Sequence, residues 1–239
     1  MLDHNGNLYI VSTPIGNLQD ITIRAIKTLF EVDYIACEDT RIAGKLLKSI
    51  LPVYEKLFGA PLKDYKFISY YEQNERHRIP QIINGLKNGL NIALISDAGT
   101  PSVSDPGFEI VRECIKENLK VIPIPGPTAS IAALTSSGLP TDKFIFVGYP
   151  PHKKGNRAKF FDKLKFLREN FKATIIMYEA PHRIIQMLDE VGEILGDIEI
   201  VLEREMTKVF EESIRGNVSV LKNRFEKKPP KGEFVVLFN

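Results

Sequence analysis

The chain has 239 residues, 44% of them apolar and 26% charged, which suits one large or two ordinary globular domains. No run approaches the ~20 apolar residues of a membrane span, and the opening MLDHNGNLYI lacks a signal peptide's basic start and apolar core, so a cytoplasmic protein is expected. A net charge of +2 excludes a strongly polybasic or acidic protein, and two cysteines (Cys37 and Cys114) with four scattered histidines offer neither a disulfide framework nor a metal cage.

Leu8–Thr13 reads as a first strand running into the turn signal Pro14-Ile15-Gly16-Asn17. Asp20 is a candidate cap for the helix ITIRAIKTLFEV, with Ile23, Ile26, Leu29 and Phe30 on its apolar face. A second strand, Asp33–Cys37, ends in Glu38-Asp39-Thr40-Arg41 and leads to a helix over Ile42–Leu51, with residues 52–65 as a connection. Lys66–Tyr70 is a third strand, followed by Tyr71-Glu72-Gln73-Asn74-Glu75 and a helix that Pro80 should delay or kink. A buried strand at Ile92–Ile95 breaks into SDAGTPSVSDPG, before a helix over Phe108–Glu117 and a fifth strand, Lys120–Ile124. Strand–helix alternation predicts a mostly parallel sheet covered on both faces. Each polar cluster follows a strand, so all should crowd one sheet edge, where ligands bind in open α/β sheets. The loop of Asn91–Gly107 is on this ground one wall of a cofactor site.

The stiff PIPGPTAS segment marks a boundary between domains 1–124 and 125–239. In the second, Ser130–Ser137 reads as a tightly packed helix and Phe144–Val147 as a strand. Lys153, Lys154, Arg157, Lys159, Lys163, Lys165, Arg168 and Lys172 follow, offset only by Asp162 and Glu169. Such a tract suits phosphate backbones, and equally a solvated helix face. Ala173–Tyr178 is a strand ending in Glu179-Ala180-Pro181-His182-Arg183, followed by a helix with Ile184, Ile185, Met187 and Leu188 on its core face. Glu199–Leu202 leads to Arg204-Glu205-Met206-Thr207-Lys208. Phe210–Ile214 reads as a strand, Val218–Phe225 as a helix and Glu233–Phe238 as the last strand of a mixed sheet.

The usual cofactor fingerprints are missing: the chain has no G-x-G, no P-loop and no G-x-S-x-G elbow. STPIGNLQDIT, EDTR, YYEQNE, SDAGTPSVSDPG, PGPTAS, YEAPHR, EREMTKVFEE and KGEF, in this order, resemble the tetrapyrrole (corrin/porphyrin) methylase superfamily, and within it the members that methylate ribosomal RNA. The resemblance spans nearly the whole chain. It implies an α/β, two-domain class III methyltransferase, each domain a sheet flanked by helices, with S-adenosyl-L-methionine in the interdomain cleft and a homodimeric assembly. It implies methylation of a cytidine 2′-hydroxyl in the decoding region of 16S rRNA, on the RNA or the small ribosomal subunit. Pro14, Ala98, Gly99, Thr100, Ser102, Val103, Thr128, Ala129, Tyr178, Glu179, Gly232 and Glu233 match the family's donor-binding positions. Thr100 stands where tetrapyrrole-type members carry Asp, which points away from a porphyrin or corrin. Longer members continue past the last strand, which would leave more of the RNA contact here to the basic tract.

A ribose hydroxyl needs a base. The candidates are Asp39, Glu72 and Glu75, then Glu205; Lys208 would need a lowered pKa. Arg41, Lys153, Lys154, Arg157, Arg183 and Lys208 are the candidate RNA contacts. Plainer roles stay open: Pro14 and Pro101 can simply end strands, Asp39 can cap a helix, Glu205 and Lys208 can form a surface pair, and both cysteines can be core. A methylase of a tetrapyrrole or other small metabolite, or a non-catalytic RNA-binding module, are the alternative functions.

Overall fold

The computed structural model describes residues 5–59 and 66–239. They form two units, residues 1–128 and 129–239.

In the first unit, β1 (Asn7–Val11), β2 (Tyr34–Cys37), β3 (Lys66–Ser69), β4 (Ile92–Leu94) and β5 (Lys120–Ile124) make a sheet in the order β3-β2-β4-β1-β5. Every pairing is parallel. The period of two assigns side chains to opposite faces. Ile35, Cys37, Ala93 and Ile95 pack with α1 (Ile23–Glu31) and α2 (Thr40–Phe58). Leu8, Ala36, Ile92 and Leu94 pack with α3 (Glu75–Lys87) and α4 (Phe108–Lys116). Cys37 and Cys114 are buried core residues. With both faces covered, the sheet offers ligands only its edges, and parallel pairing turns every strand's carboxyl end to the same edge.

Several local expectations change. Thr22, not Asp20, caps α1: its hydroxyl accepts the Ala25 N–H at 3.1 Å, and a 3₁₀ turn over Leu18–Asp20 precedes it. Ile23 is 62% exposed, and Ala25 and Thr28 complete the buried face with Ile26, Leu29 and Phe30. The helix expected to stop at Leu51 runs through Pro52 to Phe58, and α3 starts at Glu75 and runs through Pro80. Both prolines are exposed, so the carbonyls they leave unbonded can face water. The remainder of the expected 52–65 connection, residues 60–65, lies outside the described residues.

In the second unit, α5 (Ala129–Ser137) covers one face of a sheet made of β6 (Phe144–Phe146), β7 (Thr174–Glu179), β8 (Glu199–Arg204), β9 (Glu212–Asn217) and β10 (Phe234–Phe238). The other face carries α6 (Lys154–Phe171), α7 (Ile184–Leu195) and α8 (Val218–Lys227). The order is β6-β7-β10-β8-β9, with only β6 and β7 parallel. β10 lies at the centre and is buried throughout, which explains its unbroken apolar run FVVLF. The strand expected at Phe210–Ile214 lies at Glu212–Asn217 instead, and Phe210 is 71% exposed. The first unit includes the PIPGPT segment up to Thr128. Gly126 lies against Ser12, where a Cβ would come within 2.8 Å of the Ser12 Cβ, and Thr100 Oγ1 donates to Pro127 O at 2.9 Å. The linker is thereby fastened to the first unit.

Candidate active site

β1 and β4 are sheet neighbours, so their polar sequels leave side by side. Thr13 and Gly99 bridge them, Thr13 N–H donating to Gly99 O at 2.8 Å and Gly99 N–H to Thr13 O at 3.1 Å. A chain of hydroxyls links three strand ends: Thr100 Oγ1 lies 2.8 Å from Ser12 Oγ and 2.6 Å from Thr128 Oγ1. The structure thus brings Pro14, Ala98, Gly99, Thr100 and Thr128 together. Beyond Thr100 the loop is strained: Ser102 and Ser104 have φ of 71° and 63°. Gly107, at φ 138°, leaves room for Ser102, whose Oγ would be 2.4 Å from a Cβ there. Ser102 Oγ is buried without a hydrogen-bond partner. A tightly built loop holding an unengaged hydroxyl is suited to a ligand's polar group.

Acidic groups crowd the neighbouring strand end. Asp97 N–H donates to Glu38 Oε1 at 3.4 Å, and Asp39 N–H to Asp97 Oδ1 at 3.3 Å. Burial, then the Asp105 charge, raises the Glu38 pKa. Burial raises the Asp97 pKa, against the hydrogen bond from the Asp39 N–H that lowers it and with a smaller push from the Asp39 charge. Burial and Asp97 push Asp105 up to about 6 against a hydrogen bond from Ser96. Burial, with Asp97, Asp39 and Glu38, takes the Cys37 thiol to about 12.

The expected bases fare differently. Asp39 caps α2, accepting the Arg41 N–H at 2.8 Å, and pairs with the Arg41 guanidinium at 2.6 Å. Those contacts hold its pKa well below the usual carboxylate range. Glu72 is exposed in the turn before α3. Glu75 accepts the Tyr70 hydroxyl at 3.1 Å. Glu205 Oε1 accepts the Glu233 N–H at 2.9 Å and Lys208 Nζ at 3.2 Å, and these bonds lower its pKa. Burial works against the Lys208 charge, but its bonds to Glu233 (2.7 Å) and Glu205 raise its pKa overall, so Lys208 lacks the lowered pKa a base requires.

The second unit gathers its own set. β10 pairs with both β7 and β8, placing Glu179 and Arg204 on either side of Phe234, next to Gly232 and Glu233. A Cβ on Gly232 would lie 2.5 Å from Glu205 Cγ. Ala129 and Tyr178 pack against one apolar cluster, and Tyr178 forms edge contacts with Phe146 at 4.9 Å and Tyr149 at 5.5 Å. Glu179 is a different matter, because its carboxylate is fully buried and ion-paired.

Arg157, expected among the RNA contacts, is 1% exposed. Its Nε donates to Glu190 at 2.7 Å and its Nη2 to Glu179 at 3.3 Å, because its place on α6 faces the core. A guanidinium so placed cannot reach a phosphate. Arg183 is also largely withdrawn, with Nε 2.8 Å from Glu179 and Nη1 2.9 Å from His152 Nδ1. Arg41 is exposed but shared with Asp39, and Lys153 is exposed immediately before Lys154, the first residue of α6. Sequence reasoning places Glu38 in a strand-end cluster but not among the candidate bases, and it misses Glu190 as a partner of Arg157. The EDTR motif offers a signal for Glu38, but nothing in sequence spacing pairs Arg157 with Glu190.

The model of the family described as Tetrapyrrole (Corrin/Porphyrin) Methylases matches residues 7–222. A ribosomal RNA small subunit methyltransferase I of Thermotoga maritima is 44% identical over 98% of this chain and 98% of its own. One from Halalkalibacterium halodurans is 43% identical over 98% of this chain and 76% of its own. Among solved structures, a cobalt precorrin-4 methyltransferase superimposes with a TM-score of 0.65 at 17% identity, covering 97% of this chain and 94% of that one. The methyltransferase CobJ gives 0.67 at 15% identity, covering 98% and 94%. These likenesses carry the fold, and the family model with the full-length relatives carries the membership: the chain belongs to the tetrapyrrole (corrin/porphyrin) methylase family.

Proposed function

We propose that this chain transfers a methyl group from S-adenosyl-L-methionine to small-subunit ribosomal RNA, at a cytidine ribose 2′-hydroxyl in the decoding region of 16S rRNA. The observation that carries the reading is the 44% identity to a ribosomal RNA small subunit methyltransferase I across 98% of both chains. The residues present fit the donor. The unpartnered Ser102 hydroxyl and the small-residue loop offer polar contacts. S-adenosyl-L-methionine supplies an electrophilic methyl carbon on a positively charged sulfur.

The chain's own work is then to hold the donor, orient the ribose and accept a proton. The Thr13–Gly99 bridge and the Ser12–Thr100–Thr128 hydroxyls hold the first unit's candidate donor loop in shape. Tyr178 and the Gly232–Glu233 backbone are the second unit's candidate donor residues. Asp39 is too strongly held as an anion to serve as base, and Glu205 and Lys208 hold each other. Glu38, Asp97 and Asp105 have raised pKa values, which makes them better proton acceptors near neutral pH. Of the candidate RNA contacts Lys153 is exposed, and along the same basic tract Lys159, Lys163 and Lys165 are also exposed and suited to phosphates. The same reading carries a homodimer in the cytoplasm. The experiment is calorimetric binding of S-adenosyl-L-methionine followed by transfer of its labelled methyl group to small subunits lacking the modification. Donor binding without transfer to any RNA would leave a non-catalytic module.

A further inference from the structure

A cavity of about 230 Å³ opens within the first unit between the turn after β1 and one face of α2. Its α2 wall is Ile42, Lys45, Leu46 and Ser49, the i, i+3, i+4, i+7 stripe beside the helix's buried stripe of Ala43, Leu47, Ile50 and Tyr54. Pro14 and Leu18 form the opposite wall, and Asp97 stands where the cavity meets the end of β4. Ile42 and Leu18 are 41% and 46% exposed, so packing does not account for their being apolar. Two apolar walls with one cation and one anion suit a flat heterocycle with a polar edge.

The volume equals about eight waters at ~30 Å³ each. That is the scale of one nucleoside and is small for a four-ring macrocycle. Pro14 and Asp97 flank the Thr13–Gly99 bridge, so the cavity shares a wall with the loop assigned to the donor. Arg41 and Lys48 are exposed on the same helix, which favours a phosphodiester chain approaching this side.

We propose that this cavity receives the target nucleoside, turned out of its RNA stack, with the pyrimidine between the Pro14–Leu18 and Ile42–Leu46 walls. Lys45 donates to the O2/N3 edge of the base, and Asp97 accepts a hydrogen bond from the sugar hydroxyl. This rests on the RNA methyltransferase reading and adds the location of the nucleoside. An enzyme acting inside a structured RNA gains access to its target by such flipping.

The test uses the full chain and two variants, Ile42→Trp, which fills the cavity from an exposed position, and Lys45→Ala, which removes one donor and keeps the test alive if the first variant does not fold. Donor affinity is measured by calorimetry, transfer by single turnover on unmodified small subunits, and flipping, without donor, by fluorescence of a pyrrolocytosine placed at the target in an RNA fragment. The wild type should raise the fluorescence. Ile42→Trp should abolish that rise and slow transfer by about tenfold or more, and Lys45→Ala should raise KM, both with unchanged donor affinity. Wild-type transfer and fluorescence in the variants would overturn the cavity assignment alone. So would donor affinity falling in step with rate, because the cavity would then belong to the donor. Failure of the wild-type chain to methylate any subunit would overturn the underlying reading, and the inference with it.

Discussion

Asp105 keeps a carboxyl among other carboxyls, and its raised pKa has a consequence for stability. A pKa lifted from 3.8 to about 6 means that the folded chain binds a proton the unfolded chain has released over that interval. Its favourable contribution is therefore complete below pH 3.8 and is lost as pH rises through about 6. Asp105→Asn should leave melting temperature nearly unchanged at pH 4 and raise it relative to wild type at pH 7.5, as read by calorimetry at both values. Equal shifts at the two pH values would refute the buried-charge explanation. Gly232 presents a second residue-scale case, because φ is 91° and Glu205 occupies its Cβ position. Gly232→Ala should destabilise by about 1–3 kcal/mol. In a Glu205→Ala background the steric share should vanish and only the left-handed backbone cost remain. A denaturant double-mutant cycle reads this coupling, and strict additivity would contradict it.

Elements are where the sequence spoke most clearly and also where it stopped. The strand–helix alternation announced a parallel sheet covered on both faces, and β1, β2, β4 and β5 lie within a residue or two of expectation. Loop convergence was legible because parallel strands leave their carboxyl ends at one edge. Helix ends were less so: Pro52 and Pro80 read as breaks, yet their solvent-facing positions spare the helices. Arg157 was illegible because it sits within a run of lysines, and only the fold shows that its turn of α6 faces Glu179 and Glu190. Arg157→Met should cost about 3–5 kcal/mol by leaving buried carboxylates without their partner, measured by urea unfolding. Reversing the exposed Lys153, Lys159 and Lys163 to Glu should instead preserve the fold. RNA affinity should fall, and the salt slope should flatten by about 0.7–0.9 for each phosphate that is no longer neutralised. An unchanged slope would return these lysines to a solvated face.

Across the whole molecule, two differently built α/β units each carry a set of strand-end residues. The first set was visible as motifs; the proton acceptor was not, because sequence shows which carboxylates exist but not which are already held by Arg41, Tyr70 or Lys208. The most direct measurement is transfer of labelled methyl from S-adenosyl-L-methionine to small ribosomal subunits lacking the modification, followed by nuclease digestion and nucleoside analysis. Label should appear in 2′-O-methylcytidine from one 16S rRNA site, with transfer lost and donor binding kept when Asp97 is changed to Asn. Label on a base, label in a small tetrapyrrole alone, or donor binding with no transfer to RNA would contradict the proposed reaction.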